Sequence, residues 1–206
     1  MVRWVGLMVL SSVVAILPIQ DGKRVRVEDG PKYASDGQLL FPKEYREWVF
    51  LASGLDMSYD PKPRTDGMHM FNNVFVNPAA YKVFQQTGHW PDGTELVLEN
   101  RGAETGKSIN VKGSTQSKEL MGFEVHVLDS THAEAQSGGK PDGWEFYGFQ
   151  NAVSAKSIAR PASCYSCHEA HAAVDTTFVQ FYPTLMETAE KKQTLSSAYL
   201  KEISGR

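Results

Sequence analysis

The chain has 206 residues, 41% hydrophobic and 22% charged, with 21 Lys and Arg against 24 Asp and Glu and a formal net charge of -3. That length suits one domain with a single good core, and the charge balance lacks the basic surplus that a nucleic-acid partner demands.

The first twenty residues, MVRWVGLMVLSSVVAILPIQ, place one positive charge at Arg3 ahead of an apolar run from Trp4 to Ile19, broken only by Gly6, Ser11, Ser12 and Pro18. This is the pattern of a secretory signal, and the run is shorter than the roughly 20 residues of a bilayer span. Residues 1–20 therefore read as a signal peptide or, if uncleaved, an N-terminal membrane tether. Residues 21–37 are polar with little pattern and read as a flexible linker. The domain is expected over 38–190, followed by a tail over 191–206.

Within the domain, Phe41–Glu47 reads as a short helix with Pro42 in its first turn, leading into the apolar segment Trp48–Ala52. A proline- and charge-rich loop over 59–67 precedes a strand, Met68–Val76. Asn77 and Pro78 then read as N-cap and first residue of a helix whose apolar side carries Tyr81 and Phe84. The turn Pro91-Asp92-Gly93 launches a strand over Glu95–Glu99. After a glycine-, serine- and lysine-bearing loop, 102–117, a strand over Gly122–Asp129 alternates. Phe123, Val125 and Val127 fall on one face, and Glu124, His126 and Leu128 on the other. Trp144–Phe149 follows a second Pro-Asp-Gly turn. Four or five strands joined by turns predict an α+β fold, mainly β: an antiparallel sheet of about five strands with flanking helices. Near the C-terminus, Val174, Phe178, Phe181 and Leu185 recur at spacings of four, three and four. They predict one helical face capped by Asp175, with Pro183 kinking or ending the helix.

The chemistry lies just before that stretch, in Cys164-Tyr165-Ser166-Cys167-His168, which holds both cysteines of the chain. Two thiols two residues apart followed by histidine form the attachment signature of a c-type haem. The thiols make thioethers to one porphyrin and the imidazole of His168 reaches its iron. Three other readings compete. A redox dithiol belongs at the start of a helix after a strand, and no such unit precedes Cys164. A zinc site of Cys164, Cys167, His168 and His171 crowds four ligands into eight residues. A plain disulfide leaves His168 without a role. Export favours the haem reading, with one covalent haem c per chain.

Taken together, LLFPKEYREWV, VFVNPAAYKVFQQTGHWPDGT, GFEVHVLD and CYSCHEAHAAVDTTFVQFYPTL resemble, in that order and spacing, the cytochrome P-460 family of periplasmic c-type cytochromes. The resemblance runs from about Leu39 to Leu185. It implies a β-rich homodimer with a five-coordinate haem c held by the motif's histidine. Members called cytochrome P-460 oxidise hydroxylamine, whereas the sister group, cytochrome c-prime-beta, binds nitric oxide and carbon monoxide. The oxidising members carry a lysine cross-linked to the haem edge, on the strand after the PDGT-like turn and directly before a glutamate. At that place this chain has Leu98 before Glu99, and leucine has no nitrogen with which to make the bond. Lys107 and Lys112, in the next loop, read as solvated side chains. The resemblance also implies that Glu124 faces the distal pocket as a base, where desolvation would favour its neutral form; the residues alone equally allow an exposed glutamate on the wet face of the strand.

The primary reading is thus a periplasmic mono-haem cytochrome that binds nitric oxide or a related small ligand at a five-coordinate iron. Cys164 and Cys167 are its tethers, His168 the metal ligand, and Glu124 with an apolar wall of Phe71, Phe75 and Leu98 its distal side. His126 reads as structural or exposed, and Met186 as too close to His168 to close the iron. Two alternatives stand beside it: an oxidoreductase acting on hydroxylamine with Glu124 as base and a soluble electron-transfer partner, and a six-coordinate electron carrier.

Overall fold

The computed structural model describes residues 24–58, 67–137, 142–150 and 153–205. The proposed signal segment, 1–20, lies outside them. Five strands form one antiparallel meander in sequence order: β2 (Val49–Leu55), β3 (Met70–Val76), β4 (Thr94–Thr105), β5 (Ser114–Leu128) and β6 (Trp144–Phe149). A two-stranded ribbon pairs β1 (Leu39–Leu40) with β7 (Ser154–Ala155). The helices are α1 (Pro78–Thr87), α2 (Ser130–Ser137), α3 (Ser163–His171), α4 (Pro183–Lys192) and α5 (Ser197–Ser204). The α+β, mainly β architecture with a five-stranded sheet is the one the alternating segments predict.

β4 and β5 are longer than their apolar segments. Their pairing continues from Leu98 opposite Glu124 out to Thr105 opposite Ser114, so much of the expected 102–117 loop is a hairpin extension. Lys107 sits near its exposed tip, paired with Glu104 at 2.6 Å.

Because successive strand residues face opposite sides, the register sorts the sheet into two surfaces. Val74, Leu98 and Glu124 lie abreast across β3, β4 and β5, and Leu96, His126 and Phe146 form the next row. Phe75, Val97, Val125 and Tyr147 lie abreast on the opposite face. There they pack with Leu39, Tyr45 and Phe149 into one core. The first face extends into a second core of Phe84, Trp90, Leu96, Leu128, Leu185 and Ala189, which joins the sheet to α1 and α4. Phe84 and Trp90 are fully buried with ring centroids 4.3 Å apart. Each such side chain stabilises the fold by roughly 1.5–3 kcal/mol relative to exposure.

The stretch expected as a linker is instead packed on the domain from Arg24 onward. Arg26 bridges Asp92 and Asp129 at 2.8 and 2.9 Å, Val27 is buried, and Tyr33 stacks on His132 with centroids 3.7 Å apart. Asp29 accepts from Ala79 N at 2.9 Å, capping α1. Asn77, the expected cap, instead accepts from Glu95 N at 2.9 Å and so ties α1 to β4. The expected tail over 191–206 likewise holds α5, whose Ser196 accepts from Tyr199 N at 3.1 Å as a true N-cap.

The aromatic helix expected from Val174 to Leu185 does not form. Asp175 and Thr176 have φ of 46° and 59°, a left-handed pair that an α-helix cannot hold. A short 3-10 turn at Val179–Phe181 follows, and Pro183 opens α4 rather than kinking a helix. A turn and two short helical pieces bury Val174, Phe178 and Leu185 and leave Phe181 exposed, so the 4-3-4 spacing is not that of one helical face.

Candidate functional site

Between the first face of the sheet and the segment running from α3 to Tyr182 lies a cavity of about 480 Å³. Val74, Leu96, Leu98, Phe146, Phe178 and Phe181 give it an apolar lining, and His168, His126, Glu124, Asn72 and Asn100 supply its polar groups. A volume in this range and a mostly apolar wall with a few polar groups suit a bound cofactor.

α3 carries Cys164, Cys167 and His168 at positions i, i+3 and i+4, one face of one turn. The two thiols are unbridged and half-exposed, and burial, then Cys164, pushes Cys167 upward. His168 reaches the cavity between Phe178, Phe146 and His126, with centroid separations of 4.2, 4.7 and 5.0 Å. Its Nδ1–H donates to the Thr176 carbonyl at 2.7 Å. That bond fixes the tautomer with Nε2 free of its proton, the form a metal requires. Burial holds His168 below the ordinary histidine range, against the opposing pull of the Thr176 bond. The zinc alternative does not assemble. Among the described residues no group of three or more His, Cys, Asp or Glu could hold a metal ion, and His171 Nδ1–H instead donates to Glu202 at 2.9 Å.

The carbonyl that orients His168 is delivered by the left-handed pair Asp175-Thr176. Each such residue costs on the order of 1–2 kcal/mol, and the turn after α1 supplies the compensation. The Asp175 carboxylate accepts from Trp90 N at 3.0 Å and from His89 Nδ1–H at 3.1 Å. Trp90 Nε1–H donates to Thr177 Oγ1 at 2.8 Å, and that hydroxyl donates to Val174 O at 2.7 Å. The sequence segment GHWPDGT therefore does more than start β4: it braces the loop behind His168.

On the strand side, Leu98 and Glu124 are register partners and both line the cavity. Glu124 is exposed at the rim rather than desolvated within it. Gly148 faces Glu124 from β6, and a β-carbon built there meets nothing within 4 Å. Phe71 and Phe75 are not in the wall. Phe75 is 7% exposed in the core behind the sheet, and period two puts Phe71 on that same side. The wall residues of β3 are their neighbours Met70, Asn72 and Val74. His126 is buried, stacked on Phe146 at 3.9 Å. Burial, then His168 and Arg160, holds it well below the ordinary histidine range, and its Nε2 has no hydrogen-bond partner. Glu99 faces away from the cavity. Burial pushes its carboxyl up, but bonds from Arg101, Tyr45 and Asn73 and the charge of Arg46 outweigh it and hold it at about 2. Met186 packs in the α1–α4 core, whereas Met57 and Met70 line the cavity.

Thr176, Asp175, Asn72 and Asn100 are site residues that motif reading does not single out. A turn interrupts the helical spacing that hid the first two, and the asparagines sit in the same alternation that marks Val74 and Leu98.

An apolar cavity, an imidazole with Nε2 available and two thiols one turn away together suit a haem. No curated protein compared with the chain matches it. The family model described as cytochrome P460 matches residues 42–179, from before β2 through α3 to Val179. With more than half of the 206 residues covered, and with that cavity among them, the chain belongs to the cytochrome P460 family, whose cofactor is haem.

Proposed function

We propose that this chain carries one covalent haem c, tethered by Cys164 and Cys167 and ligated by His168, and binds nitric oxide or a related small ligand beside Glu124. The observation that carries the reading is the 2.7 Å bond from His168 Nδ1–H to the Thr176 carbonyl. It commits Nδ1 and leaves Nε2 for a metal in the cavity. When bound, the haem would supply an iron able to bind a small ligand, with His168 holding it in the cavity. Phe178, Phe146 and His126 exclude water around the imidazole, Leu98 packs where relatives with the extra cross-link have lysine, and Glu124 offers a carboxylate at the rim. Export to the periplasm and a homodimer complete the reading, in keeping with the family and with the N-terminal segment.

A second reading, oxidation of hydroxylamine or another reduced nitrogen compound, is favoured by one observation: the Glu124 side chain lines the cavity, where a base could take a proton. Leu98 weighs against it. Absorbance of the purified haem-loaded protein with nitric oxide or carbon monoxide separates these functions. A high-spin spectrum that changes with either gas supports ligand binding, and a low-spin spectrum indifferent to both supports an electron carrier. Hydroxylamine turnover lost in Glu124→Ala supports the enzyme.

A further inference from the structure

At the end of the cavity away from His126, one row further along the strands than Leu98, Asn72 of β3 and Asn100 of β4 are register partners. Asn72 Nδ2–H donates to Asn100 Oδ1 at 2.8 Å. That bond occupies Oδ1 of Asn100 and leaves its amino group as the end of the amide free to donate elsewhere. On β5 the direct partner of Asn100 is Gly122, which has no side chain. One row back on β5 stands Glu124, faced by Gly148 on β6. The same four residues, Asn100, Gly122, Glu124 and Gly148, border a second hollow of about 640 Å³, which shares Asn100 and Glu124 with the first. A hydrogen-bond donor and a carboxylate acceptor thus flank a neck whose floor is made of glycines.

Resting on the haem reading above, we infer that Asn100 is the donor that orients a small nitrogen–oxygen ligand at this neck, with Asn72 as its positioning residue. The Asn100 N–H donates to the ligand's oxygen, while Glu124 accepts from any N–H or O–H the ligand carries. Asn72 holds the Asn100 amide in the one orientation that presents Nδ2 to the neck. The wall on this side is therefore selective by hydrogen bonding as well as by size, and the second hollow is the approach.

Carbon monoxide added to the ferrous haem-loaded protein is the probe, because a donor at its oxygen lowers the C–O stretching frequency. Asn100→Leu removes the donor at nearly constant volume. Asn72→Leu leaves the donor but frees its orientation. The expected result is a higher C–O frequency in Asn100→Leu, a smaller rise in Asn72→Leu, and nitric oxide dissociation about two- to tenfold faster in Asn100→Leu, the net worth of one hydrogen bond. The unliganded spectrum should stay as in the parent. If Asn100→Leu fails to load haem, Asn72→Leu carries the test alone. An unchanged C–O frequency in the loaded variants overturns the assignment while leaving the haem reading intact. A parent protein with no haem spectrum overturns both.

Discussion

Replacing Asp175 by alanine should loosen the loop behind His168, and the structure gives the size of the effect. The Asp175 side chain is 12% exposed, so its bond from Trp90 N at 3.0 Å is a well-shielded bond to a charged acceptor, worth about 1.5–3 kcal/mol. The partner His89 is 55% exposed and adds only about 0–1 kcal/mol after solvent screening. Alanine at φ 46° adds about 1 kcal/mol of backbone strain that aspartate tolerates better. The total for Asp175→Ala is about 3 kcal/mol, or roughly 6–12 °C in Tm for a domain of this size. Asp175→Asn keeps an acceptor oxygen and the left-handed tolerance, and should cost about 1 kcal/mol. Thermal unfolding of the haem-loaded variants measures both. The iron–histidine stretch of the ferrous protein should move in the alanine variant, because the Thr176 carbonyl is no longer held against His168 Nδ1. Equal losses for alanine and asparagine, or a destabilised alanine variant with an unmoved stretch, would refute the bracing argument. The same contact has a pH signature. The bond to Asp175 raises His89 above its ordinary value, against burial and the charge of Arg24. Its stabilisation is complete below the ordinary histidine value of about 6.5 and is lost as pH rises through the higher folded value. The advantage of the parent over Asp175→Asn should therefore shrink from about pH 6 to about pH 9.

Glu95 tests the other face of the sheet. Burial, then Asp29, pushes its carboxyl up to about 8 against the pull of Lys32, and its Oε1 has no partner. A raised carboxyl stabilises the fold below the ordinary carboxylate range and loses that contribution as pH rises through about 8. Glu95→Gln should gain on the parent in urea unfolding at about pH 9 compared with about pH 5; an equal difference at both values contradicts the burial argument. A β-carbon at Gly148 meets nothing within 4 Å, so Gly148→Ala should leave the unfolding midpoint nearly unchanged, while the bulkier Gly148→Leu should slow association of carbon monoxide. An unchanged association rate would place the ligand's path elsewhere.

Strand alternation made the sheet legible: the period that assigned Glu124 and His126 to one face of β5 is the one the register confirms. The same period puts Phe71 and Phe75 on one face of β3 and Asn72 and Val74 on the other, but only the pairing of Val74 with Leu98 makes the second face the cavity wall. The pentapeptide from Cys164 to His168 lies on α3, whose His168 lines the cavity, and its spacing is legible because it is local in sequence. What lies behind His168 was hidden, since a left-handed pair at non-glycine residues leaves no compositional trace and the aromatic spacing around it imitates a helix. Residues 24–37 misled for a related reason. Their apolar contacts are few, and they are held by long-range ion pairs such as Arg26 to Asp129, which neither periodicity nor propensity can register. Asn77 shows the limit of capping rules: it stands at the N-cap, but its side chain is spent on Glu95 of β4 and on Asp29, while Asp29 caps the helix through Ala79 N, 50 residues away in sequence.

If Cys164 and Cys167 hold a haem covalently on the helix that presents His168, the mass of the purified, denatured protein after acid extraction of loosely bound pigment shows it. A single species heavier than the processed polypeptide by one haem, with the added mass on the peptide containing both cysteines, is expected. A polypeptide of unmodified mass, with the pigment extracted or never present, would contradict it.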